Sequence, residues 1–168
     1  MQGTVNPTLK AFNQLARLPG GKRLFIHALC LKAPYFSSIR PEVVALKPGY
    51  SEYRMKKRRA VQNHLGTVHA LAMGNLCELA AGTAMEASLP ARLRWIPKSM
   101  NIEYLKKAET DLTARCRVSD INDQFEGDLP VLVEVLDARG EMVSRAHIHM
   151  YLSRKPERSA RPSLSAHS

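Results

Sequence analysis

The sequence predicts an α+β domain in which one antiparallel sheet wraps a single long buried helix, behind a short helical N-terminus. Three observations lead there. The stretch Val61–Met85 is almost free of charge, and Glu78 is the only Asp, Glu, Lys or Arg between Arg59 and Glu86. Beyond it the hydropathy alternates with a period of two in several short runs, as half-buried strands do. Before it, apolar residues recur at helical spacing.

The elements follow in order. Leu9, Phe12, Leu15, Ala16 and Leu18 space a helix over Thr8–Leu18, with Pro7 near its start and Pro19-Gly20-Gly21 at its end. A second short helix is expected over Lys22–Leu31. Pro34, Pro41 and Pro48-Gly49 punctuate a connecting region, and a leading strand runs from Tyr50 to Arg59. The central helix is expected over Val68–Ala87, with Leu71, Ala72, Leu76, Leu79, Ala80 and Thr83 as its apolar stripe and Gly74, Ala81 and Gly82 keeping the rest small. A helix that is apolar nearly all round belongs in a core, so a sheet must wrap it or a partner must cover it.

Strands are expected at Met100–Leu105, Leu112–Val118, Val131–Leu136 and Arg145–Leu152, the third more continuously apolar, as suits a central position. Asp137-Ala138-Arg139-Gly140 reads as a hairpin turn. Trp95, between Pro90 and Pro97, reads as the corner from helix to sheet. The division expected is a helical extension over 1–48, the sheet-and-helix domain over 49–153, and a basic, Ser- and Pro-rich tail over 154–168 that reads as disordered.

A chain of 168 residues with 45% apolar and 24% charged residues suits one domain. The net charge of +10 asks for an anionic partner: nucleic acid, an anionic membrane or a phosphorylated small molecule. Around the densest basic run, Lys56-Lys57-Arg58-Arg59, the stacking aromatics of a nucleic-acid motif are missing, and no nucleic-acid partner is expected. No segment approaches the roughly 20 apolar residues of a membrane span, and no signal peptide is evident, so no membrane partner is expected. Cys30, Cys77 and Cys116 are too scattered for a zinc site or a disulfide framework, which fits a reducing cytoplasm. His147 and His149 share a strand face without a third ligand, and no metal is expected.

A carboxylate amid such apolar sequence costs several kcal/mol unless it is paired or reaches water. Glu78 therefore reads either as an edge or ion-paired residue, or as an acid lining a cleft. Asn63, His64, Gly66 and His69 precede the helix where free backbone N–H groups and the helix dipole favour an oxyanion. A rise of about 1.5 Å per residue puts Glu78 some 12 Å further along, too far for one site in one chain. A second copy packed about a two-fold axis can bring its helix start beside this Glu78.

The string Asn63-His64-Leu65-Gly66-Thr67-Val68-His69, followed nine residues after its last histidine by Glu78, resembles the hotdog-fold acyl-CoA thioesterases, closest in pattern to the DUF4442-type branch with added N-terminal helices. The resemblance spans Lys10–Leu152. It implies a hotdog fold, a homodimer or dimer of dimers, acyl-CoA or a related thioester as substrate, and no cofactor. It also implies roles: Asn63 orients the thioester carbonyl or a water, His69 shapes the helix entry, Ala70 or Leu71 donates its N–H to the oxyanion, and Glu78 of the neighbouring subunit is base or nucleophile. Gly66 belongs to the same loop. Two positions depart from the pattern: Ala70 and Leu71 stand where such enzymes carry two glycines, and Gly82, with Thr83 beside it, stands where a hydroxyl residue holds water. Arg58, Arg59, Arg115 and Arg117 are the candidates for the coenzyme phosphates. A non-catalytic acyl-CoA or acyl-carrier binding protein is the alternative, and a hotdog dehydratase using His64 is a third, without the loop expected around such a histidine.

Overall fold

The structure, a computed structural model, describes residues 6–156. The expected tail falls mostly outside this range. Two helices lead: α1 (Pro7–Leu15), whose first turn is capped by Asn6 Oδ1 accepting the Thr8 N–H at 2.8 Å, and α2 (Gly21–Lys32), which stops before Pro34. They cross closely because Gly21 has no side chain; a Cβ there would lie 1.7 Å from the Leu15 carbonyl oxygen. Phe12 and Phe25 fill the crossing edge to face, 5.1 Å between centroids.

The strands are β1 (Glu42–Lys47), β2 (Tyr50–Met55), β3 (Leu93–Tyr104), β4 (Leu112–Arg117), β5 (Gly127–Leu136) and β6 (Met142–Arg154), and α3 (Ala70–Ser88) lies between β2 and β3 in sequence. They form one antiparallel sheet in the order β1-β2-β4-β5-β6-β3. Every strand packs on α3. The sheet supplies Tyr53, Met55, Leu112, Val133, Ile148, Met150 and Leu152, and the helix Leu76, Leu79 and Met85, all essentially inaccessible to solvent. This is the wrapped helix expected from its uncharged sequence.

The differences from expectation have local causes. The connecting region contains β1, because Pro41 and Pro48-Gly49 bound a strand and its hairpin turn, with Gly49 at φ 75°. β2 ends at Met55, since beyond it the Lys57 N–H turns to the Asp111 carboxylate at 2.9 Å. Leu71, expected on the apolar stripe, is 69% exposed in the first turn of α3. Trp95 is no corner; it lies within β3, which starts seven residues before Met100. A bulge between Pro97 and Ser99 shifts the alternation by one, so Trp95 and Pro97 face the helix with Met100 and Ile102, paired to Leu152, Met150, Ile148 and Ala146. Met100–Leu105 was expected to have one wet face; as an edge strand, β3 leaves Met100 and Tyr104 exposed on its inner side as well.

The hairpin at Asp137–Gly140 is present. The Asp137 carboxylate accepts the N–H groups of Arg139 and Glu141, both at 2.9 Å, which hold its carboxyl below the usual range, and Gly140 takes φ 83°.

One latch ties three elements together: Glu86 of α3 accepts Trp95 Nε1–H at 3.0 Å and Asn6 Nδ2–H at 3.2 Å. Removing it leaves the half-buried indole N–H without its partner. Glu86→Ala is expected to cost about 1–3 kcal/mol and to shift the fluorescence of Trp95, the only tryptophan, to longer wavelength. A denaturant titration followed by that fluorescence reads both, and an unchanged midpoint would show that the latch holds nothing.

Candidate active site at the start of the central helix

The loop before α3 is built by Asn63. Its Oδ1 accepts the N–H groups of Leu65 at 3.0 Å and Thr67 at 3.2 Å, and its Nδ2 donates to Thr67 Oγ1 at 2.9 Å. Gly66 turns the chain at φ 72° and donates its N–H to the Asn63 carbonyl. The His69 N–H then bonds to the Val61 carbonyl and the Val68 N–H to that of Ala108, tying the loop to the β3–β4 connection.

His69 is the N-cap of α3. Its Nδ1 accepts the Leu71 N–H at 3.0 Å, which requires that nitrogen to be unprotonated. Of the two candidate oxyanion donors, Leu71 is therefore already engaged. Ala70 N–H has no acceptor among the described residues and remains at the positive end of the helix dipole.

A cleft of about 380 Å³ opens at this end of the helix, with Asn63, Ala70, Tyr104, Lys106 and Lys107 among its walls. Tyr104 donates its hydroxyl to the Ala70 carbonyl at 3.3 Å. Lys106 is paired with Glu141 at 3.0 Å. These three residues were missed in the sequence; the Lys106-Lys107 pair after a strand was the available signal. A larger cleft, about 560 Å³ by Asn6, Ser88 and Arg92, lies at the far end of α3 and holds none of the expected site residues.

Glu78 lies outside both clefts. It is half-buried, and its carboxylate takes part in no hydrogen bond or ion pair among the described residues, unlike Glu86 two turns on. Its flank of α3 faces β3. One turn before it, Gly74 lies against Ile102 and Met100; one turn after it, Gly82 lies against Trp95, with 3.1 Å from each would-be Cβ to the nearest atom. Neighbouring Cys77 is no rival nucleophile, because burial pushes its thiol up to about 12.

Other expected site residues are placed elsewhere. Thr83 turns its hydroxyl back onto the Leu79 carbonyl at 2.8 Å, about 140° around the helix from Glu78 at about 100° per residue. Arg115 and Arg117 are on the convex face of the sheet, away from α3, since Ala114 and Cys116 face the core. Arg115 pairs with Glu52 at 3.4 Å, and Arg117 lies 5.1 Å from the Tyr50 ring. Arg58 donates to the Ser38 carbonyl and Arg59 is exposed, both just before the Asn63 loop. His64 is an exposed loop residue, His147 and His149 lie on the convex face, and no group of three metal-ligating side chains occurs among the described residues. Among the described residues no helix is long and apolar enough to cross a membrane.

A family model described as a domain of unknown function (DUF4442) matches residues 21–152. No curated protein matches the chain. Among solved structures, a structural-genomics protein, APC5556, is 42% identical, with a TM-score of 0.79 over 88% of this chain and 99% of that one. A Pseudomonas aeruginosa protein of unknown function called a probable thioesterase is 23% identical, with a TM-score of 0.71 over 82% of this chain and 97% of its own. A Haemophilus influenzae thioesterase is 13% identical, with a TM-score of 0.65 over 75% and 87%. At such identities the last two show the fold.

The loop geometry separates two roles for Asn63. Asn63→Ala strands the N–H of buried Thr67 and is expected to cost about 1–3 kcal/mol, whereas Asn63→Asp keeps both acceptors and is expected to stay within about 1 kcal/mol of the wild type. Thermal or denaturant unfolding of the pair decides it. Equal losses would mean that the loop depends on the amide N–H instead.

Proposed function

The chain belongs to the DUF4442 family and has the hotdog fold, and from that premise we propose that it is a thioesterase hydrolysing acyl-CoA or a related acyl thioester to the free acid and thiol. The observation that carries this reading is Glu78: a half-buried carboxylate with no partner among the described residues, on the helix flank that faces the open edge strand. A charge kept in such a place without compensation is a candidate for chemistry.

The site is completed by a second copy. β3 is a long edge strand with a free side, which a two-fold related β3 can pair. Gly74 stands midway between Ala70 and Glu78, and it lies against Met100 and Ile102. An axis passing there sets Glu78 of one subunit level with the Ala70 N–H of its mate. That N–H polarises the thioester carbonyl, the second hydrogen of Asn63 Nδ2 orients it, and the mate's carboxylate takes a proton from water or attacks directly. Lys107 and Arg59, at the same end as the cleft, suit the phosphates of a coenzyme. The three free thiols fit a cytoplasmic protein. Binding without turnover is the second reading. It is favoured by the His69 cap, which leaves a single free N–H at the helix start, by the side chains of Ala70 and Leu71, which narrow the approach to the backbone where two glycines would open it, and by the inward Thr83 hydroxyl.

Thiol release from a panel of acyl-CoAs tests the activity. Glu78→Gln is expected to lower kcat by roughly 10²–10⁴-fold with the fold intact. Mixed dimers of Glu78→Gln with Asn63→Asp should regain activity, because one of their two sites holds both native groups. Mixing without recovery would sink the shared site, and saturable binding without turnover in the wild type would establish the second reading. The axis has its own test: in a Cys30→Ser background, Asn101→Cys is expected to form a disulfide between subunits on mild oxidation, and Arg94→Cys is not.

A further inference from the structure

The first acidic residue of the chain is Glu42, whereas Lys10, Arg17, Lys22, Arg23, Lys32 and Arg40 all precede it. Six of the ten net positive charges therefore belong to the helical N-terminus, away from the cleft. Among the described residues none of these six side chains is in an ion pair. Within α2, Phe25 is buried and Ile26 and Leu29 pack on the core, which accounts for one face. The opposite face is apolar as well. At about 100° per residue, Leu24, Ala28 and Leu31 fall in one narrow stripe, with Arg23 on one side of it and Lys32 on the other. Leu24 is 54% and Leu31 71% exposed, and Leu18 and Tyr35, just outside the two ends of the helix in sequence, are exposed as well, at 59% and 69%.

We infer that this outer face of α2 is a docking surface for an anionic lipid bilayer, on which the protein lies without crossing it. An aliphatic stripe flanked by cations, with a tyrosine at its end, is the pattern of a helix seated in the headgroup region, the leucines entering the acyl boundary and the cations meeting lipid phosphates. An acidic protein fits less well. Protein interfaces carry about one hydrogen bond per 100–200 Å², and the stripe of Leu24, Ala28 and Leu31 at the centre of this face offers no hydrogen-bonding side chain. The face also stays clear of the proposed dimer seam, because α2 packs on β1, the sheet edge opposite β3. The sequence-based expectation of no membrane partner rested on the lack of a span or signal segment, which does not bear on surface attachment.

Co-sedimentation of the full chain with vesicles tests this without any assay of turnover. The wild type is expected to bind an equimolar mixture of phosphatidylcholine and phosphatidylglycerol, to bind phosphatidylcholine alone far less, and to release as salt rises. Leu24→Gln with Leu31→Gln, both at exposed positions that leave the core untouched, should abolish binding. Arg23→Gln with Lys32→Gln should weaken it by roughly 25-fold, about fivefold for each cation near the surface. Failure of the wild type to bind anionic vesicles at low salt overturns the inference, as does full binding by the leucine variant. If vesicles are ignored and the leucine variant sediments as a smaller species than the wild type, the face is a contact between copies and the lipid assignment is wrong.

Discussion

Everything in this molecule is arranged around the need to cover α3. A helix with one charged residue in its first four turns cannot present any face to water cheaply, so it must be enclosed on all sides. Five strands and the N-terminal layer enclose most of it. On the remaining flank Gly74 and Gly82 let Ile102, Met100 and Trp95 of the edge strand come against the helix backbone, where larger residues would hold them off. The one position on that flank that is neither small nor apolar is Glu78, between the two glycines.

That arrangement explains what one sequence could and could not disclose. The uncharged helix and the strands Leu112–Arg117 and Met142–Arg154 were legible because their alternation is unbroken and one face is wholly buried. The first half of β3 was not, because the bulge at Lys98 breaks the period and Pro97 reads as an end; the strand tolerates both as an edge. β1 was hidden by the prolines that bound it. The role of His69 was half legible: its place at the helix entry followed from the motif, but its capping of Leu71, which removes one of two oxyanion donors, depends on a side-chain torsion that no spacing encodes.

The position of Glu78 opposite a free sheet edge has a similar character. About 12 Å of helix separates Glu78 from Ala70, too far for one site within one chain. The structure adds a direction: the carboxylate's flank faces β3, whose outer side has no partner strand among the described residues. Distance along the helix and an open edge are independent facts, and the proposed two-fold arrangement answers both. At the helix start Ala70 and Leu71 each keep a backbone N–H, and it is the His69 cap that engages the one on Leu71.

The positive charge of the chain is easier to understand once it is divided by place. On the convex face of the sheet, Glu103, Arg145, Glu134, Arg115 and Glu52 stand in register across five neighbouring strands with alternating sign, and Arg145 binds the Glu103 carboxylate at 2.7 Å. Arginines in that row serve the sheet, which is why Arg115 is poorly placed to serve a ligand at α3. Among the described residues, the cations without carboxylate partners include Arg54, Arg94 and Arg117 on the sheet, Arg59 and Lys107 in the loops around the cleft, and all six of the acid-free N-terminal region. A charge that looked in composition like one anion-binding property thus separates into three: a paired lattice on the sheet, a small basic rim at the start of α3, and a basic, apolar outer face on α2. Substitutions at the rim and on α2 act at separate sites, so a variant that loses one kind of binding should keep the other.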